Sequence, residues 1–473
     1  MLEYESTRGA APHLGFADVL LAGLATDGGL YVPTEIPLLG DLDRLRGLDY
    51  AALASEVMWP FIGAGGGGEI ARADLGRLAA EAYATFDVPE VCPVRSSGPG
   101  YLLELFHGPT LAFKDLALQL VGRLFDHVLE ARDATVTILG ATSGDTGSAA
   151  MEAFAGRRRS RCVILYPEGR VSEVQRRQMT TIEASNCHAV AVAGTFDDCQ
   201  DLVKAAFADA SFRAEVGLSA VNSINWARVL AQIVYYVWAH LRVSPDGAPV
   251  SFSVPTGNFG NILAGWYAKQ MGLPVDRLIV ASNRNDILTR FFASGRMEVR
   301  EVVPTTSPSM DIQVSSNLER LLFEVLGRDG ARIAELMGRF RADGRVGVPT
   351  EVIERLGEEF DAGRLDDHGA AEVMERLSDA EDLLVDPHTA VGIGVAEEFV
   401  ERIDSPVVCL ATADPAKFPD AVRDATGVTP ELPPRLSGLL ARTERITHAA
   451  AELAEIKAIV RSFSELSGTE SGP

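Results

Sequence analysis

Three short segments carry residue types at spacings that could do chemistry. The first is H-G-P-T-L-A-F-K-D at residues 107–115, where Lys114 follows Leu111, Ala112 and Phe113 and precedes an apolar-periodic stretch over 116–124. An amine at a helix start among apolar neighbours loses hydration, which favours its neutral form and makes it a better nucleophile toward an aldehyde. Most lysines at helix entries are solvated, and residue type alone does not set Lys114 apart from them. The second segment is P-T-G-N-F-G-N at residues 255–261, between a strand-like and a helix-like run. Its glycines let the backbone turn and approach a ligand, while free N–H groups and the helix dipole favour an anion such as a phosphate. It has neither the Gly-Lys-Ser/Thr of a Walker loop nor G-x-G-x-x-G spacing, and as turn chemistry it reads equally well as a plain βα connection. The third is G-A-T-S-G-D-T-G at residues 140–147, again between strand and helix. Thr142, Ser143 and Thr146 offer hydroxyls beside backbone amides, a cradle for a carboxylate or phosphate, with helix N-capping as the plainer alternative.

These segments need a framework to hold them. Apolar runs at 136–139, 162–166, 188–192, 250–254, 278–281 and 407–410 read as strands. Helical periodicity follows at 148–155, 172–184, 198–207, 224–241 and 262–271, with Asp197 expected to cap the third of these. Repeated strand–helix units imply a parallel sheet with helices on both faces. Ligands of such sheets collect at the carboxyl ends of strands, where the loops at 140 and 257 lie, here expected on one sheet. Residues 1–94 read as a separate, largely helical unit, with segments at 16–24, 50–58 and 71–84 and a glycine run at 63–68 too flexible for helix. Residues 320–380 read as acidic and helical. The tail at 439–463 has helical periodicity, and 467–473 is expected to fray.

The net charge of −23, from 66 acidic and 43 basic side chains, opposes binding to phosphate backbones or anionic lipid. A small site is governed by its local groups, so a small anionic ligand stays compatible. The acidic start, without an apolar core, does not read as a secretory signal, and no apolar stretch approaches the roughly 20 residues of a membrane span. Five scattered cysteines with no C-x-x-C pair are expected to be reduced thiols, and no metal site is expected. A soluble, cytoplasmic protein is the expectation.

Taken together the blocks resemble the threonine synthase family, in the longer form found in many bacteria and fungi. Further blocks carry the resemblance: Y-E-S-T-R-G at 4–9, G-L-A-T-D-G-G-L-Y-V-P at 23–33, N-S-I-N-W-A-R at 222–228, S-P-S-M-D-I at 307–312, V-S-S-N at 314–317 and A-T-A-D-P-A-K-F at 411–418. The resemblance implies an α/β fold-type-II pyridoxal-phosphate enzyme, tryptophan synthase β-like, with parallel-sheet large and small domains. It divides the chain into a helical N-terminal domain at 1–94, a catalytic core at 95–430 and a C-terminal helical extension at 431–473. It implies pyridoxal 5'-phosphate held by Lys114 as a Schiff base, its phosphate on Gly257, Asn258, Phe259, Gly260 and Asn261, and Thr412 facing the pyridine nitrogen. Thr142, Ser143 and Thr146 then resemble the loop for the substrate carboxylate, and Ser223, Asn225 and Arg228 the side for the substrate phosphate. The implied reaction turns O-phospho-L-homoserine and water into L-threonine and phosphate, in a monomer or homodimer. Asp414 stands where many relatives have histidine, which puts any role of that histidine in doubt. A lyase or dehydratase of the same fold, or a silent paralogue that only binds a metabolite or partner, are the alternatives. A dinucleotide-dependent dehydrogenase fits the glycine loop least.

Overall fold

Short apolar runs flanked by glycine and proline become strands buried on both faces, the mark of parallel sheets covered by helices. In this computed structural model, which describes residues 2–63 and 70–466, they form two such sheets. The larger has six strands in the order Phe360–Arg364, Val275–Ser282, Val250–Pro255, Val407–Ala411, Gly100–Glu104 and Val94–Ser97. Its first five are mutually parallel, and Val94–Ser97 is an antiparallel edge. The smaller has five parallel strands in the order Thr447–Ala450, Cys187–Ala193, Ser160–Pro167, Val136–Ala141 and Leu218–Ser219.

The loops expected on one sheet therefore sit on two. Val136–Ala141 of the smaller sheet feeds the loop at 142, and Val250–Pro255 of the larger feeds the loop at 257. Sequence order cannot assign a strand to a sheet, because partners are chosen by long-range packing. Helix Trp226–Val243 joins the two halves of the core. Every residue from Trp226 to Leu241 is buried, and the helix packs on Lys114–Ala131, Gly260–Gln270 and Tyr50–Ile62. Most of its circumference is apolar, as suits a helix with little solvent-facing surface, and Arg228, Gln232 and His240 are its buried polar side chains.

The amino-terminal region contains helices Phe16–Ala22, Tyr50–Ile62 and Arg72–Tyr83, close to the expected segments. It also contains a small antiparallel pair, Tyr4–Ser6 with Tyr31–Pro33. Among the described residues, its buried side chains share one apolar cluster with helices Lys114–Ala131 and Trp226–Val243. Arg8 clamps Glu319 across 2.9 Å and Thr7 donates to the same carboxylate at 2.6 Å. Residues 64–68 of the expected glycine run, and the expected frayed tail, 467–473, lie outside the described residues.

Two expectations are corrected. The helix Phe196–Ala208 is capped by Thr195, whose hydroxyl accepts from Asp198 N–H while Asp198 reaches back; Asp197 lies inside the first turn. The region read as helical from 439 onward instead contributes strand Thr447–Ala450 before helix Leu453–Leu466. That strand is an edge of the smaller sheet, beside Cys187–Ala193. The acidic region at 320–380 is helical but also supplies edge strand Phe360–Arg364. Among the described residues no helix is long and apolar enough to cross a membrane.

Candidate active site

Lys114 is the first residue of helix Lys114–Ala131, reached from strand Gly100–Glu104 through a wound loop. Backbone bonds stitch this loop to the segment after Val407–Ala411: Phe113 N–H donates to Thr412 O at 2.9 Å, and Asp414 N–H to Leu111 O at 3.0 Å. Leu111 adopts φ +62°, a left-handed conformation that costs a residue with a side chain and persists only where packing holds it. Asp115 explains part of that hold. Its two oxygens accept from Thr110 N–H and Oγ1, each at 2.7 Å, and a Cβ at Gly108 would lie 2.5 Å from the Asp115 side chain. Burial pushes the Asp115 carboxyl up to about 6 against those hydrogen bonds.

The Lys114 amine meets a carboxylate from the other sheet. Its Nζ lies 2.9 Å from Asp145 Oδ2, and Lys417 Nζ lies 2.9 Å from Asp145 Oδ1. Gln175 Nε2 and Ser309 Oγ also donate to Asp145, at 2.9 and 3.2 Å. Burial pulls the Lys114 ammonium below its usual range, opposed by Asp145. Burial alone would raise Asp145; the charges of Lys114 and Lys417 outweigh it and hold the carboxyl well below the usual range. Asp145 was not singled out in the sequence, although it sits within the quoted loop, and neither was Lys417. The only available signal was their position inside two blocks that other residues had already made interesting.

The loop at 257–261 leads into helix Gly260–Gln270, whose cap residue Phe259 has φ +62° and no side-chain hydrogen bond to the first turn. The leading N–H groups of that helix are thus free for an anion. Asn261 Oδ1 accepts from the hydroxyls of Tyr235 and Tyr236 at 2.6 and 2.8 Å, while its buried Nδ2 has no partner. Arg228 is buried and, among the described residues, has no carboxylate in an ion pair with it; its Nη1 donates to Val221 O at 3.0 Å and its Nε has no partner. Burial lowers it to about 10. A buried cation without a counter-ion is costly unless an anion joins it.

One cleft gathers these groups. It is lined by Lys114, Thr142, Ser143, Thr146, Ser223, Arg228, the whole run Gly257, Asn258, Phe259, Gly260 and Asn261, and Thr412. Asn225 is not on its wall: its side chain caps Trp226–Val243 through Ala227 N–H and donates to Leu20 O and Ala220 O. Its amide has a structural task, so it is set apart from the other twelve. Thr142 has a capping function as well as a place on the wall, since its Oγ1 accepts from Gly144 and Gly147 N–H at 2.9 and 2.8 Å.

His388 was also missed and also lines the cleft. Its Nδ1 bonds Asp386 at 2.7 Å and its Nε2 accepts from Ser309 N–H at 3.2 Å, which fixes the proton on Nδ1. Asp386 caps helix Pro387–Glu397 and also takes the hydroxyl of Thr389, which in turn accepts from Thr412 N–H at 3.2 Å. Asp414 caps the turn Pro415–Lys417 through Ala416 N–H at 2.8 Å and so helps aim Lys417.

The donor set fits pyridoxal phosphate. An uncapped helix start and an unpartnered amide suit the phosphate, and a dehydrated amine suits the aldehyde. Models of the threonine synthase N terminus, the pyridoxal-phosphate-dependent enzymes and the threonine synthase C-terminal region match residues 3–83, 101–337 and 389–460. A threonine synthase of Pseudomonas aeruginosa is 50% identical over 97% of this chain and 98% of its own. That of Schizosaccharomyces pombe is 42% identical over 93% of each. A crystal structure described as PLP-bound threonine synthase from Brucella melitensis superposes with a TM-score of 0.93 at 50% identity, covering 98% of this chain and 100% of that one. The yeast threonine synthase structure gives 0.90 at 37%, covering 99% of each chain. With near-complete coverage in sequence and structure, this chain belongs to the threonine synthase family of pyridoxal-phosphate-dependent enzymes.

Proposed function

We propose that the chain converts O-phospho-L-homoserine and water into L-threonine and phosphate, with Lys114 as its catalytic base and cofactor-bearing residue. The observation that carries this reading is the pairing, in one cleft, of a dehydrated amine at Lys114 with a buried, counter-ion-free cation at Arg228. When bound, pyridoxal phosphate supplies the electron sink that lets protons leave Cα and Cβ before phosphate departs from Cγ.

The residues around it have separable tasks. Residues 257–261 bind the cofactor phosphate through the free N–H groups of helix Gly260–Gln270, with Asn261 offering its Nδ2. Thr412 presents a neutral hydroxyl to the ring nitrogen, its backbone held by Thr389. Ser143 and Thr146 take the substrate carboxylate, with Thr142 holding their loop in shape. Arg228, with Ser223, receives the leaving phosphate, which supplies the counter-ion its guanidinium lacks. Lys114, once its nitrogen is free, takes the proton from Cα, must give that proton up again, and with its lone pair restored takes the second proton from Cβ. The lining of aromatic and aliphatic side chains at Phe113, Met310 and Ile312 limits bulk water. The enzyme acts in the cytoplasm as a monomer or homodimer, which fractionation and light scattering can check.

The test is product analysis on O-phospho-L-homoserine. Threonine and phosphate in equal amounts are expected. Phosphate with 2-oxobutyrate and no threonine would make the chain an eliminating lyase instead, and no turnover in cofactor-loaded protein would leave only the silent paralogue.

A further inference from the structure

Asp145 is a carboxylate without a task in the scheme above, yet it is the most heavily hydrogen-bonded group in the cleft. Lys417 is fully buried, at 0% exposure, and is also unused. Its amine has two partners, Asp145 Oδ1 and Thr110 O at 2.6 Å. Asp145 comes from the smaller sheet's loop, whereas both lysines come from segments attached to the larger. The carboxylate is thus held between two ammonium groups, one able to react and one locked.

We propose that Asp145 and Lys417 together form the positioning pair of Lys114. Asp145 holds the Lys114 nitrogen at the place where the cofactor meets it. Lys417 offsets the carboxylate's charge, so that this hold does not also lock a proton on the nitrogen. A buried carboxylate at 2.9 Å acting alone would favour the ammonium form, which has no lone pair to give. A second cation on the same carboxylate removes most of that bias. Oδ1 is spent on Lys417 and Gln175, and Oδ2 is shared between Lys114 and Ser309. Lys417 cannot substitute for Lys114 because its amine is turned into the Thr110 carbonyl.

Other charges near the pair do not duplicate it. Arg228 acts on Lys114 with the same sign as Lys417, but makes no contact with Asp145. His388 lies toward Asp145 and has both ring nitrogens engaged, with Asp386 behind it. Asp115 and Asp414 lie on the Lys417 side; both Asp115 oxygens are taken up by Thr110, and Asp414 Oδ1 accepts from Ala416 N–H.

The inference rests on the cofactor being held at Lys114, and the holoenzyme provides a readout separate from turnover. The visible absorbance of the bound cofactor titrates with the proton on the Lys114 nitrogen. In K417M the midpoint is expected to rise by about one pH unit or more, and in D145N to fall by about as much. The double variant should return to within about half a unit of wild type, because the two removed charges cancel. K417R, which keeps the charge, should titrate as wild type. A generic loss of packing would not move the midpoint in opposite directions. If K417M loses its cofactor at neutral pH, the band should return on reloading at alkaline pH; no return at any pH, with the fold intact by circular dichroism, overturns the proposal. If K417M does not fold, the downward shift in D145N carries the test, and an unchanged or raised midpoint there overturns it. A visible band in all variants without opposed shifts sinks the pair alone, whereas no band in wild type sinks the assignment of Lys114 beneath it.

Discussion

Residues 142–147 and 257–261 both follow a buried parallel strand, both are rich in glycine and short polar side chains, and both run into a helix whose start lines the cleft. They differ in what satisfies that helix start. In the first loop Thr142 turns its own hydroxyl onto the N–H groups of Gly144 and Gly147. In the second no side chain does so, and the left-handed Phe259 leaves the first turn of Gly260–Gln270 open. The first loop closes on itself and offers side chains; the second offers its backbone. Similar composition thus serves a loop that shapes a wall and a loop that binds an anion.

Substitutions can break or sharpen that contrast. The largest effect is expected between the loops, at Lys114→Ala: kcat should fall at least about a thousandfold, with loss of the borohydride-fixable cofactor, as suits removal of a general base that also bears the cofactor. Normal turnover with cofactor still fixed would remove Lys114 from the scheme. Arg228→Met comes next. Losing one charged hydrogen-bonding group should cost about 2–3 kcal/mol in kcat/KM, roughly 30–150-fold, while the melting temperature of the substrate-free protein holds or rises because an unpaired buried charge has gone.

The two glycines test the loops directly. Gly144 has φ +136° and a Cβ there would come 2.3 Å from the Gln175 amide, so Gly144→Ala should destabilise the fold by about 1–3 kcal/mol. Gly257 has no such φ, and its Cβ would meet Met310 Cα and Ser309 O at 3.2 Å, so Gly257→Ala should instead weaken cofactor binding about tenfold at nearly unchanged stability. Equal effects on stability and affinity at both sites would erase the contrast. Thr142→Val should cost about 1 kcal/mol of stability, by thermal melting, with little change in cofactor affinity. The smallest effect is in acid. Because the folded Asp145 carboxyl is depressed, its stabilisation is present above its unfolded value of about 4 and is lost as pH falls through the folded value. The acid limb of wild type should therefore be steeper than that of D145N.

Much of the architecture was legible along the chain because it depends on local patterning. Strand Val250–Pro255 and helix Gly260–Gln270 were readable from an apolar run, a glycine turn and renewed periodicity. The strand Thr447–Ala450 was not, since four residues with a single buried side chain look like a helix fragment until Cys187–Ala193 is beside them. Thr195 was overlooked as a cap because two aspartates follow it, and choosing among three capping residues needs backbone geometry. Asn225 was assigned to the substrate by the block it belongs to, whereas its neighbours Leu20 and Ala220 are what its amide serves.

Residue types and spacing by themselves determined that this protein has α/β units and a glycine-rich turn between strand and helix, which depend on neighbours a few positions away; Lys114 stood apart from an ordinary helix-entry lysine only through the ordered run of family blocks. Only the tertiary structure decided that the two loops belong to different sheets, that Arg228 is buried without a counter-ion, and that Asp145 stands between Lys114 and Lys417. Lys114 and Lys417 stand 31 and 272 positions from Asp145, and electrostatic coupling depends on distance in space and on burial, neither of which the order of residues records.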